Sequence, residues 1–148
     1  MKRITRSAIV AHSAQAMYAL VEDVESYPRF LPWCLEARVH ERVPGETRAT
    51  LTAGLGKLRQ SFTTRNRNRP GEAIDLRLER GPFRVFSGAW RFTALSARSC
   101  EIEFTLEYEL ASRALAKLLA PLFDRIANTM VDAFTRRAAR RFDGQAEG

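Results

Sequence analysis

The residues of this 148-residue chain that could do chemistry are aromatic and cationic more than catalytic. Its two cysteines, Cys34 and Cys100, form no C-x-x-C pair, and His12 and His40 stand at no zinc-finger spacing from them. The pattern predicts reduced, partly buried thiols and no metal site. No G-x-S-x-G or H-E-x-x-H occurs. Gly54-Leu55-Gly56-Lys57 runs into Leu58, where a phosphate loop needs Ser or Thr. The expectation is a protein that is not an enzyme and requires no cofactor.

The cations are patterned. Lys57, Arg59, Arg65, Arg67 and Arg69 share odd parity along one stretch, and Leu58 and Phe62 take the opposite parity. On a regular strand all five charges project from one face, which suits phosphate contacts. The same pattern also describes a solvated outer face paired with nearby carboxylates. Arg136, Arg137, Arg140 and Arg141 form a second cluster near the chain end, where they also complement a helix dipole. A net charge of +7 fits an anionic partner such as RNA, a ribosomal surface or acidic lipid headgroups, and it also serves solubility.

Aromatic residues crowd one connector. Residues 23–34 hold Tyr27, Phe30, Trp33, two prolines and Cys34. Prolines redirect a helix, so the segment is bent. Its aromatics and Leu31 must pack into something, which makes it a lid or clasp over a core or a pocket.

These residues need elements to position them. A strand is expected over Arg3 to Ala11. A helix capped by Ser13 follows, with Met17, Leu20, Val21 and Val24 on one stripe and its end at Tyr27-Pro28. Phe30 and Leu31 are expected on one further helical turn. Alternating strands with turns at Pro44-Gly45, Pro70-Gly71 and Gly81-Pro82 come next, the clearest running from Ile102 to Leu110. A long helix from about Ser112 to Phe142 closes the chain, with Leu115, Leu118, Leu119, Leu122, Ile126, Met130 and Phe134 on its apolar face. The class is α+β: an antiparallel meander around one long helix. Residues 1–142 are expected to form one domain and 143–148 a disordered tail. The absence of a roughly 20-residue apolar run points to a cytoplasmic protein without a transmembrane segment.

The inward positions Phe62, Phe86, Trp90, Phe92, Phe104 and Tyr108 form an aromatic wall that suits either a packed core or an apolar pocket. Trp90 and Tyr108 could donate hydrogen bonds to a ligand carbonyl there, although a buried Tyr hydroxyl normally finds a protein partner.

The run Asp23-Val24-Glu25-x-Tyr27-Pro28-x-Phe30-Leu31-Pro32-Trp33-Cys34 resembles one family. So do Phe62-Thr63-Thr64-Arg65-Asn66, Gly81-Pro82-Phe83, Gly88-x-Trp90-x-Phe92 and Asn128-x-Met130-Val131-x-Ala133-Phe134. They are similar to the coenzyme Q-binding and ribosome-association toxin branch of the START-like, polyketide cyclase superfamily. The resemblance implies a helix-grip fold with a curved sheet of about seven strands around the C-terminal helix. It also implies a hydrophobic tunnel for an isoprenoid quinone.

The expected function is non-catalytic binding of a ubiquinone-like lipid, as a carrier or chaperone supporting respiration. The site residues would be Tyr27, Phe30, Leu31, Trp33, Phe62, Phe86, Trp90, Phe92, Phe104, Tyr108, Leu122, Ile126 and Met130. The alternative is a toxin that binds the large ribosomal subunit and its rRNA through Lys57, Arg59, Arg65, Arg67 and Arg69, blocking translation initiation. Peripheral contact with an anionic membrane fits the same charge. A polyketide cyclase or dehydrase is the weaker third reading.

Overall fold

Ser13 opens the first helix as the sequence predicts. Its Oγ accepts from the Ala16 N–H at 3.1 Å. Before it runs strand β1 (Lys2–Val10), and after it helix α1 (Ala14–Glu22). The chain, seen in a computed structural model, is described over residues 1–143, with side chains through Phe142. The tail expected at 143–148 lies outside the described residues, except for the Asp143 backbone.

Strands β2 (Cys34–Val43), β3 (Glu46–Leu55), β4 (Leu58–Arg69), β5 (Ala73–Arg80), β6 (Phe83–Ser96) and β7 (Ser99–Leu110) form an antiparallel sheet with β1. Its order is β1-β7-β6-β5-β4-β3-β2. The only non-sequential neighbour is β1, which returns beside β7 in unbroken register from Lys2 opposite Tyr108 to Val10 opposite Cys100. The curved sheet grips helix α2 (Arg113–Ala138), which continues through a π-helical turn over Ala139–Asp143. Ser112 caps α2 by accepting from the Leu115 N–H at 3.1 Å. Pro121 lies within the helix without ending it. This is the expected α+β helix-grip architecture.

The core lies between the sheet and α2, with α1 closing one end. Trp90, Phe104, Phe123, Phe134, Met17 and Leu122 are among the most deeply buried side chains. The buried face of α2 carries Leu119, Leu122, Phe123, Ile126, Ala127, Met130, Val131 and Phe134. Leu118, expected on this stripe, is instead 57 % exposed. Phe123, not expected there, is buried. Each residue adds about 100° of rotation, so a stripe centred on 119, 126 and 130 includes 123 and leaves 118 on the flank.

Two local expectations are corrected. Helix α1 ends at Glu22, well before Tyr27-Pro28. Asp23 takes the chain out of the helix at ψ 67°, and its carboxylate accepts from the Ser26 hydroxyl at 2.6 Å. A short acid that bonds locally competes with helical geometry. The next piece, Val24–Arg29, is a 3-10 helix with Pro28 inside it, and it ends before Phe30 and Leu31 can extend it. Leu35 and Val43 are about two-fifths exposed, because β2 is an edge strand broken by two bulges.

Among the described residues, no helix is long and apolar enough to cross a membrane. None of their His, Cys, Asp and Glu side chains group as a metal site would require.

Candidate ligand cavity and cationic surfaces

Strands β3 to β7, α2, the end of α1 and the lid segment line an interior void of about 60 Å³. Of the residues expected to line a ligand pocket, Tyr27, Trp33, Phe62, Phe86, Trp90, Phe104, Ile126 and Met130 do line it. Phe30, Leu31, Phe92, Tyr108 and Leu122 do not. Phe92 sits behind Trp90, its ring stacked at 6.1 Å, and meets Tyr18 edge-on. Leu31 and Leu122 are buried in the core away from the void. Phe30 packs on Phe134 and Tyr27, toward the outside of α2.

Two tyrosines that sequence reasoning placed at the pocket have their hydroxyls taken. The Tyr108 hydroxyl donates to Asp124 Oδ1, so it is not the donor a ligand carbonyl would use. Burial first, and then the Asp124 carboxylate, push its pKa upward. The Tyr27 hydroxyl donates to the Val21 carbonyl, which staples the 3-10 segment to α1. Burial raises its pKa as well.

The wall also has a polar sector. Thr47, Thr64, Asn66 and Asn68 line the void from β3 and β4. Thr64 Oγ1 donates to Asn66 Oδ1 at 2.8 Å, and Asn68 Nδ2 donates to Thr47 Oγ1 at 2.9 Å. Asn66 is only 7 % exposed, and its other amide atom makes no hydrogen bond among the described residues. The available signal was parity, since 64, 66 and 68 share the phase of inward-facing Phe62.

One guanidinium ties the end of α1 to the lid segment. Arg42 on β2 donates to Glu22 Oε1 at 2.7 Å, to the Glu22 carbonyl at 3.1 Å and to both carboxylate oxygens of Glu25. It therefore clamps both sides of the Asp23 break. Bonding to Arg42 holds the Glu25 carboxyl below the usual carboxylate range. Glu22 also lines the void.

The expected stripe of five cations becomes four. Lys57 lies in the Gly56–Lys57 turn, where Gly56 adopts φ +62°, and β4 begins only at Leu58. Arg59, Arg65, Arg67 and Arg69 are exposed along β4. Arg65 pairs with Glu46 at 3.4 Å. Among the described residues, Arg59, Arg67 and Arg69 have no carboxylate within 4 Å.

The sequence pattern of the family described as polyketide cyclase/dehydrase and lipid transport matches residues 10–135. The chain belongs to that family. Within it, the chain is 45 % identical to the ribosome association toxin RatA of Pseudomonas aeruginosa, over 94 % of this chain and 96 % of that protein. It is 30 % identical to the mitochondrial coenzyme Q-binding protein COQ10 homolog B of Xenopus laevis, over 97 % of this chain and 62 % of that protein. The Zhui aromatase/cyclase of Streptomyces sp. R1128 superposes with a TM-score of 0.82, over 95 % of this chain and 94 % of that one. At 20 % identity this last likeness concerns the fold alone. The resemblance carried by the Asp23–Cys34 segment is that of the family the chain belongs to.

Proposed function

We propose that the protein binds an apolar ligand of the isoprenoid quinone class between the sheet and α2, as a non-catalytic carrier. The observation that carries this reading is the void itself: a mainly aromatic and aliphatic wall with a polar sector that includes the unengaged Nδ2 of Asn66. A quinone offers carbonyl acceptors at one end and only hydrocarbon at the other. Asn66 suits the first, and Phe62, Phe86, Trp90, Phe104 and Phe123 suit the second. The 30 % identity to a protein named for coenzyme Q binding supports the same ligand class.

The void is smaller than the roughly 300–1,000 Å³ of ordinary ligand pockets, so the walls must part for a ring to enter. Residues 24–33 are the part of the wall held from outside, through Arg42. Tail burial then drives binding at about 0.8 kcal/mol per CH₂ removed from water. Catalysis has no acid–base pair to work with at the void. Glu22 is ion-paired, and the Tyr27 hydroxyl is bonded to backbone.

The test is a solvent extract of the purified protein. Mass spectrometry should find ubiquinone in it, or in protein loaded with excess quinone. Protein that stays empty after loading removes the proposal.

A second reading is favoured by a different observation. The outer face of β4 carries three arginines without carboxylate partners, and the relative of 45 % identity is named a ribosome association toxin. The two surfaces lie on opposite faces of the same sheet, so one activity does not exclude the other.

A further inference from the structure

The outer side of α2 carries Arg125, Thr129, Asp132, Arg136 and Arg140 at three- and four-residue spacing, which places them along one ridge. Between this ridge and the lid residues Phe30, Pro32 and Trp33 runs a groove of about 330 Å³, far roomier than the interior void. Arg137 also lines it and rests over the Phe30 ring, 5.1 Å from its centroid.

The groove holds four guanidinium groups and one carboxylate, Asp132, which pairs with Arg136 at 3.1 Å. Among the described residues, Arg125 and Arg140 have no carboxylate within 4 Å. The helix dipole accounts for cations near the C-terminus, but it falls off within the last turn and leaves Arg125 unexplained. Like charges along one ridge repel until an anion joins them.

A second observation concerns two of the groove's residues, one of which, Trp33, also lines the interior void. Among the described residues, two buried side-chain nitrogens lack a hydrogen-bond partner, Trp33 Nε1 and Arg137 Nε. Both residues line this groove, and Trp33 is only 3 % exposed. Orphaned buried donors are rare and costly, so a pair of them beside unpaired cations suits a ligand that accepts hydrogen bonds.

We propose that this groove binds a phosphate mono- or diester group, which accepts from Trp33 Nε1–H and Arg137 and is held by Arg125, Arg136 and Arg140. Phosphate suits the site because its several oxygens accept from guanidinium forks and a further N–H at once. The group can come from a soluble phosphate ester or from a phospholipid headgroup. The inference stands apart from the reading of the void: an empty void leaves it intact, and a quinone-filled void does not establish it.

The test follows the Trp33 indole and Arg137 Nε–H resonances in ¹⁵N-labelled full-length protein titrated with sn-glycerol 3-phosphate. In parallel, the protein is co-sedimented with phosphatidylcholine vesicles with and without phosphatidylglycerol. The expected result is a saturable downfield shift of both resonances. Arg125→Gln with Arg140→Gln should weaken binding at least tenfold, and Asp132→Asn should tighten it. Sedimentation that requires phosphatidylglycerol, and that the arginine pair abolishes, identifies the headgroup as the source. Shifts with the soluble ester alone identify the free phosphate. Trp33→Phe assigns the indole, and should it fail to fold, the exposed arginine variants still carry the test. The proposal falls if neither probe moves the resonances or if the shifts survive the double substitution. It also falls if only an RNA oligonucleotide moves them, which would make the groove part of a nucleic-acid surface.

Discussion

Asn66 accepts from Thr64 through Oδ1, which leaves its Nδ2 as the donor a quinone carbonyl can use. Replacing Asn66 alone would strand the Thr64 hydroxyl. Removing both partners together, as Asn66→Leu with Thr64→Val, leaves no orphan and should cost little stability. We expect that pair to keep its urea midpoint near wild type and to lose about tenfold in quinone affinity, the worth of one hydrogen bond of about 1.4 kcal/mol. Unchanged affinity in a folded variant would show that the amide holds no headgroup. Cys34 makes a second prediction. Burial pushes its thiol up to about 11. A thiol whose folded pKa is raised contributes its stability fully below the unfolded value near 9, and loses it as pH climbs through 11. Wild type should therefore lose about 2 kcal/mol relative to Cys34→Ala between pH 8 and 11, read from urea midpoints. Parallel curves would refute it. The polar wall was hard to read from sequence because hydrophobic alternation reports only apolar positions. Thr64 and Asn66 look like a solvated strand unless their phase with Phe62 is taken seriously.

At the scale of elements, β2 and β3 meet where the lid ends. The Gly54 N–H donates to the Trp33 carbonyl at 2.8 Å, and the Leu35 side chain lies over Gly54. A Cβ at Gly54 would sit 2.5 Å from Leu35 Cδ1 and 3.3 Å from the Leu58 carbonyl oxygen. Gly54→Ala should cost about 1–3 kcal/mol by overpacking, and Leu35→Ala in the same chain should relieve most of it. A double-mutant cycle measures that coupling, and additive costs would clear Leu35. The glycine is there because a neighbouring strand's leucine crosses it, and such a contact leaves no local pattern. The strands themselves were legible, since β7 alternates Ile102, Phe104, Leu106, Tyr108 and Leu110 against Glu101, Glu103, Thr105, Glu107 and Glu109. The end of α1 was not, because Val24 stays buried after the helix has stopped and so continues the apolar stripe.

Across the whole molecule the charge of +7 is segregated. Two acids of β7 are met by β1 and β6, in Arg3–Glu107 at 3.2 Å and Arg84–Glu109 at 3.7 Å. The outer face of β4 keeps cations unmatched. If that face meets the large ribosomal subunit, Arg67→Glu with Arg69→Glu should abolish co-migration on a low-salt sucrose gradient. Wild-type binding should weaken steeply with salt. Co-migration untouched by the double reversal would take this face out of the interaction. The same whole-molecule view bears on Trp33, which forms part of the wall of both the interior void and the outer groove. Its single indole N–H can satisfy one acceptor at a time. A ligand oxygen on one side and a phosphate on the other would draw on that one proton, and each would then weaken the other by the same factor. A void ligand that used this N–H besides the Asn66 amide would then compete with the groove, and a phosphate arriving there would favour its release.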